Sequence, residues 1–419
     1  MKILIYGLNY HPEVTGIGKY TGEMAEWLAK RGHKVRVVTA PPYYPKWEIG
    51  KDYSPIRYQK ENLNGVDVFR CPLWIPKKLT GLTRVFHLLS FTFSSFFVMI
   101  YLTSWRPQVV VNITPAFFTT FVALLGSLLY NAKTWLHIQD YELEAAFNLG
   151  ILRISRLKKI TEYVESFIFK KFDCISTISL SMLRKFYLKR IDASAGFLFP
   201  NWVDTKKIFP LKGYNSMRDK LGLHQDNIVA LYSGNMGEKQ GLEIVIDAAR
   251  KIESNKNIKF ILCGDGPARL KLISLSSGLK NVEYLSLQPR QKLNLLLNLA
   301  DIHLLPQKSE VADIVMPSKL TGIFATGKPV VAIANLDTEV SRVVKGRGII
   351  IKPGDIKAFA SSVVWLAENP VEREKLGKAG RAYAIDELNK NNILTQFENG
   401  LEDLVKIRKY KKRFSTGPA

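Results

Sequence analysis

Two kinds of residue in this chain are suited to chemistry on an anionic substrate: small-residue loops that carry a lysine, and ionisable side chains gathered where apolar runs end. Ser233-Gly234-Asn235-Met236-Gly237-Glu238-Lys239-Gln240-Gly241 follows one such run and precedes an amphipathic stretch through Leu242, Val245 and Ala249. Glycines there let a phosphate approach backbone N–H groups, and Lys239 is placed to offset charge developing on a leaving group. Gly264-Asp265-Gly266-Pro267 ends the next run, a second candidate contact that is also ordinary turn chemistry. The stretch from Gln307 to Asp313 ends another, and Met316-Pro317-Ser318-Lys319 opens the helix after it. Glu310 can bind sugar hydroxyls there, with Asp313 as the alternative, while the amides of Ser318 and Lys319 can bind phosphate; helix capping and surface charge explain the same residues. Leu287 completes this set. Earlier in the chain, Trp135-Leu136-His137-Ile138-Gln139-Asp140-Tyr141-Glu142 brings His137 and Asp140 to the end of a run, suited to acid–base work or to holding an acceptor. Gly16 and Gly18, just ahead of a helix with Tyr20, Met24 and Leu28 on one face, are placed to touch phosphate or acceptor. There is no HxxxH, HExxH, DxD or Cys/His cluster, so no metal site is expected.

These loops need strands to hold them. Short apolar runs alternate with amphipathic helical patterns, the sequence form of parallel βαβ units. Strands are expected at 2–6, 34–39, 66–70, 109–113, 134–138, 174–177 and 196–199, and the pattern restarts at 228–232, 258–263, 282–285, 302–305, 329–332 and 348–351. The fold class is α/β: two Rossmann-like, doubly wound parallel sheets facing a cleft, with ligands at the C-terminal strand ends. The boundary falls near residue 200, giving domains at 1–200 and 201–388. The last segment, 389–419, reads as a helix with a basic tail that returns to the first domain. Its end, Lys406 to Arg413, suits either anionic lipid or a solvated terminus.

The 419 residues carry a formal charge of +23, so the surface must attract something anionic: nucleic acid, acidic lipid or phosphorylated small molecules. Cys71, Cys174 and Cys263 are scattered and fit a reducing cytosol. Gly7 ends the first apolar run too early for a secretory leader. The segment 85–105 is uncharged, apolar and flanked by Lys77, Lys78, Arg84 and Arg106. A membrane span, a helix lying in the interface and a buried core helix all remain open for it.

The run Pro200-Asn201-Trp202-Val203-Asp204-Thr205-Lys206-Lys207-Ile208-Phe209-Pro210, with Gly264-Asp265-Gly266-Pro267, 299–306, 325–332 and Lys352-Pro353-Gly354-Asp355, resembles the retaining, GT-B-fold glycosyltransferases of family 4. SGNMGEKQG and MPSKL are similar to the exopolysaccharide branch typified by colanic acid biosynthesis enzymes. The resemblance implies a nucleotide-sugar donor (UDP- or GDP-linked) bound mainly by the second domain, retention at the anomeric carbon, and neither metal nor cofactor. It further implies a polyprenyl-diphosphate-linked saccharide acceptor and a place on the cytoplasmic face of the membrane. Lys239 looks like the family's diphosphate lysine. The family's paired glutamates are broken: Glu310 stands for the first, Gly322 where the second usually lies, and Ser318-Lys319 are expected to replace its contact. His137 would orient sugar or acceptor, and Asp140 would bind acceptor hydroxyls. A Rossmann oxidoreductase lacks its glycine fingerprint after the first strand, and no nucleic-acid motif surrounds the basic residues.

Overall fold

Runs of β-branched and aromatic residues become parallel strands buried on both faces. The computed structural model describes residues 1–13, 16–78, 80–114, 117–140, 163–188, 196–213, 215–308 and 317–414. It divides into two compact units, Met1–Pro200 with Ile393–Ala419, and Asn201–Asn392.

The first unit holds strands β1 (Lys2–Gly7), β2 (Lys34–Thr39), β3 (Gln59–Leu63), β4 (Val66–Arg70), β5 (Val109–Thr114), β6 (Lys133–Ile138), β7 (Cys174–Thr177) and β8 (Gly196–Leu198). Their order in the sheet is β3-β4-β2-β1-β5-β6-β7-β8, parallel except for the β3–β4 pair. Each expected strand is present to within one residue at either end; β3 was not expected. Gln-Lys-Glu-Asn-Leu has no apolar alternation, because it is an edge strand exposed or half-buried throughout. The Asn64-Gly65 turn, with φ of 51° and 86°, is the signal that announces it.

Helix α1 (Gly16–Lys30) buries Tyr20, Met24 and Leu28. Helix α2 (Gly81–Tyr101) starts at a capping box between Thr80 and Thr83 and continues as one turn of 3₁₀ helix to Trp105. It packs Leu88, Phe91 and Met99 inward, and Ser95 Oγ lies 2.6 Å from the hydroxyl of Tyr6 in β1. Helix α3 (Thr119–Tyr130) lies beside it, with the Tyr130 hydroxyl donating to the Met99 carbonyl. The C-terminal helix Lys390–Phe414 closes this unit's core: Phe397 stacks on Phe199 at 4.3 Å and stands edge-on to Trp135 at 5.0 Å.

The second unit holds β9 (Ile228–Ser233), β10 (Ile258–Cys263), β11 (Val282–Leu285), β12 (Ile302–Leu305), β13 (Val330–Ile333) and β14 (Gly348–Ile351), all parallel, in the order β11-β10-β9-β12-β13-β14. This is the doubly wound order, with its reversal between β9 and β12. Phe260, Leu262, Leu304 and Val331 meet Val245, Phe359 and Val363 of the covering helices in one core. The two passages of chain at this unit's edge are tied together, as Val203 N–H donates to Leu388 O and Lys390 N–H to Val203 O.

Candidate active site

The strand order of the second unit reverses between β9 and β12, the place where sheets of this kind bind ligands at the C-terminal strand ends. The β9 loop runs Gly234 to Gly237 into a one-turn helix, Glu238–Gln240, and then the helix Glu243–Lys251. It is zipped to the β10 loop: Gly234 N–H donates to Cys263 O, Met236 N–H to Asp265 O, and Ala268 N–H to Met236 O. The approach is so close that a Cβ on Gly264 would lie 1.9 Å from Gly234 O, and one on Gly266 2.6 Å from Met236 O. Both have strongly positive φ, 150° and 149°. The structure therefore assigns Gly264 and Gly266 a packing requirement that their sequence setting does not reveal: their missing side chains admit the neighbouring loop. Asn235, Pro267 and Leu287 are exposed around this pair of loops.

Lys319 comes up beneath Gly234. Its Nζ donates to the Tyr232 hydroxyl and lies 4.1 Å from the ring centroid, and Tyr232 in turn donates to Asn235 O. A Cβ on Gly234 would sit 2.4 Å from Lys319 Cε, so the glycine leaves the lysine its place. Lys319 is half-buried as a residue, and burial of its ammonium pulls the pKa from 10.5 down to about 7. Among the described residues no carboxylate pairs with it. This is a cation placed at a switch point, with no counter-charge among the described residues. Ser318 is the N-cap of Lys319–Ala325 and makes no side-chain cap bond. That helix has only seven residues, so the Lys319 ammonium, rather than a helix dipole, is the main positive charge here.

In the first unit, the loops after β1 and β2 meet at Glu13. Its carboxylate accepts from the backbone N–H of Tyr43 (3.2 Å) and Tyr44 (3.1 Å) and from Asn9 Nδ2 (3.0 Å). Burial raises its pKa to about 7 in spite of these bonds. Gly18 must be glycine because a Cβ would meet Glu13 Oε2 at 2.5 Å, whereas Gly16, at φ 60°, has only Tyr44 nearby at 3.9 Å. Burial raises the Tyr44 phenol pKa, and the negative charges of Asp140 and Glu13 push it the same way. Arg70 is fully buried beneath the cluster, paired with Glu61 at 2.7 Å and donating to the carbonyls of Ala40 and His11.

His137 is 2% exposed. Its Nδ1 is 2.9 Å from Ser176 Oγ and its Nε2 is 2.9 Å from the Gln139 amide nitrogen, which assigns the proton to Nδ1. Burial holds it neutral, with a pKa of about 3. Both ring nitrogens are engaged within this unit, and through Nε2 the ring holds the amide of Gln139, the residue before Asp140.

Family models match both units: "Glycosyl transferase 4-like domain" over residues 15–202 and "Glycosyl transferases group 1" over residues 214–383. A protein of Escherichia coli K12 named for colanic acid biosynthesis glycosyl transfer is 40% identical over 410 residues, 96% of this chain and all of the relative. The chain belongs to the GT-B glycosyltransferases. Among solved structures, sucrose-phosphate synthase of Thermosynechococcus elongatus superposes with a TM-score of 0.73 at 17% identity, covering 99% of this chain and 100% of the other. The Anabaena protein HepE, in complex with UDP-glucose, superposes with 0.69 at 15% identity, covering 96% and 100%. These likenesses show the fold.

In this glycosyltransferase the structure gathers Gly234, Asn235, Gly264, Gly266 and Lys319 in one unit and Gly16, Gly18 and Asp140 in the other. Glu310 and Asp313 lie outside the described residues, and so does the side chain of Lys239, whose backbone is in the one-turn helix. Three residues were not singled out from the sequence. Tyr232 is the penultimate residue of β9 and hides as a strand aromatic. Glu13 sits in a loop without pattern. Lys308 packs its Cγ against Gly241 and reaches Glu238 at 3.7 Å; its signal, a lysine three residues past β12, is weak. Among the described residues, the group that could ligate a metal is His33, Glu398 and Glu402. It lies ahead of β2, at the opposite end of the strands, and Arg31 already pairs with Glu398.

Proposed function

We propose that this chain is a retaining glycosyltransferase that takes a sugar from a nucleoside diphosphate donor, UDP- or GDP-linked, held by its second unit. The acceptor, a lipid-linked or oligosaccharide intermediate of bacterial exopolysaccharide synthesis, binds the first unit. The observation that carries the reading is the buried Lys319 ammonium under the Gly234 loop at the β9/β12 reversal, paired with no carboxylate among the described residues. An anion of diphosphate size supplies the charge it lacks. The Escherichia coli relative is named for colanic acid biosynthesis, and HepE is described with UDP-glucose; both support the same donor class and pathway type. On this reading the enzyme works at the cytoplasmic face of the membrane, with a polyprenyl-diphosphate saccharide as acceptor.

In the reaction an acceptor hydroxyl oxygen forms a bond to the anomeric carbon on the face from which the diphosphate departs. The carbon–oxygen bond to phosphate breaks, and the departing phosphate oxygen takes the hydroxyl proton. Lys319 and Lys239 stabilise the charge arriving on the diphosphate, which is where such catalysis gains most. Asp140 accepts from an acceptor hydroxyl, with His137 behind it through Gln139, while Gly16 and Gly18 leave space for the acceptor. Glu310, with Asp313 beside it in sequence, holds sugar hydroxyls. Since lysines carry the charge, the scheme calls for no resident metal or cofactor.

Calorimetric titration with UDP, GDP and their sugars in the presence of a chelator tests this. One nucleotide class should bind, and Lys319→Met should weaken it roughly tenfold to a hundredfold, the worth of one charged hydrogen bond. Absence of binding to any of them in the folded wild type overturns the reading.

A further inference from the structure

Helices α2 and α3 are inside out. Each exposed position of α2 carries a large apolar side chain, and Leu82, Phe86, Leu89, Phe93, Phe97 and Ile100 form a stripe at helical spacing, Phe93 being 71% exposed. The polar side chains of the same helix turn toward the protein: Ser94 Oγ donates to Pro72 O, His87 Nδ1 is 2.7 Å from Trp74 O, and Ser95 bonds Tyr6. In α3 the exposed positions are again Phe121, Leu125, Leu128 and Leu129, with Leu128 at 78%, while Thr119, Thr120 and Ser127 are buried. The two helices touch, Gly126 lying against Met99 Cε, so the stripes form one apolar surface. Monomeric soluble proteins rarely leave so large a patch uncovered.

We propose that α2 and α3 together are the surface by which the first unit lies in the headgroup and acyl boundary of an anionic bilayer. This deepens the peripheral-membrane reading by naming its surface. Charge selects the occupant. Between Asp67 and Asp140 the chain has no Asp or Glu, yet around these helices it has Lys77, Lys78, Arg84 and Arg106. Lys77 and Lys78 stand exposed before α2. Where both helices end, exposed Arg106 lines a hollow of about 460 Å³ with Thr103, Ser104 and Asn131. Basic groups at both ends of an apolar face complement anionic lipid, whereas a second copy of the same face would set like charge against like. The helix lies on the membrane rather than across it, since Leu88, Phe91 and Met99 and the bonds from Ser94 and Ser95 hold its other side to the domain.

Flotation of the full chain with vesicles of phosphatidylcholine, with and without phosphatidylglycerol, tests the proposal. Binding should require the anionic lipid and weaken with salt, and Phe93→Glu and Leu128→Glu should each reduce it by about tenfold or more. Tryptophans placed at Phe93 and Leu128 should both be quenched by brominated acyl chains. Undiminished binding by Leu128→Glu, or quenching at Phe93→Trp alone, removes α3 and overturns the two-helix surface. A wild type that ignores vesicles and sediments as a dimer assigns the face to a second copy and overturns the lipid. Nucleotide binding by each variant reports the second unit separately. Its loss in the wild type with flotation intact fails the donor reading and leaves this one standing.

Discussion

The protonation of Lys319 should govern how tightly the second unit holds a nucleotide sugar. In the empty site burial brings its pKa to about 7, and a bound diphosphate raises it well above neutrality, so binding takes up a proton wherever the empty lysine is uncharged. The charged fraction is then about ten-elevenths at pH 6 and about one-eleventh at pH 8, a roughly tenfold fall in affinity, ~1.4 kcal/mol. The diphosphate of a nucleotide sugar has no proton to lose in this range, and Tyr232, its phenol raised by burial, stays neutral. Calorimetry across this range in two buffers of different ionisation heat counts the proton directly, about one-half per ligand at pH 7. In Lys319→Met binding should be weak and independent of pH. Equal affinity at the two ends of the range in the wild type, or the same slope in the variant, refutes the reasoning. Without ligand the same shift acts on stability. A lysine at about 7 folded against 10.5 unfolded disfavours the folded state at low pH, so the second unit should gain stability as pH rises between those values.

Two further predictions concern the loops. Gly264→Ala should destabilise the second unit by about 3 kcal/mol or more, because its Cβ meets backbone. Gly234→Ala meets only the tip of Lys319 and should cost about 1–3 kcal/mol of φ strain while weakening donor binding; thermal melts that reverse the order contradict the loop packing. Glu13, with a pKa of about 7 folded against 4.5, holds its proton better when folded, so its contribution is full below 4.5 and lost as pH rises through 7. Glu13→Gln keeps an acceptor for Tyr43 and Tyr44. It should raise the melting temperature at pH 8 and leave it nearly unchanged at pH 4, and an equal change at both would point elsewhere.

The strands were legible because parallel strands covered on both faces read as short apolar runs, and Val109-Val110-Val111 or Ile258 to Cys263 admit no other period. Strand order was not, since no local pattern says that β9 neighbours β12. The Gly234 loop was legible in its glycines, but the reason for Gly264 and Gly266 was not: a glycine that admits a neighbouring loop and one that admits a ligand look alike along the chain. Lys319 in Met-Pro-Ser-Lys reads as a contact at a helix start, and its burial against Tyr232 arises from residues 87 positions apart. His137 looked available because it stands among polar residues, while Ser176, which engages it, lies 39 residues away in the sequence and beside it in the sheet. Helix α2 showed its apolar length but not which side faces out. Helix α3, Thr-Thr-Phe-Val-Ala-Leu-Leu-Gly-Ser-Leu-Leu-Tyr, is apolar nearly throughout and gives no hint of which side faces out.

The return of the C-terminal helix has a consequence for the order in which the molecule is made. Leu394, Phe397 and Leu401 have no exposed surface and fill the first unit's core against Trp135 and Phe199. The second unit is one unbroken stretch, Asn201–Asn392. During synthesis from the N-terminus, the part begun first therefore lacks a piece of its interior until the second is complete in sequence. Whatever attends the nascent chain meets an open first unit, with Trp135 still waiting for its neighbour, beside a second unit that already has all its residues.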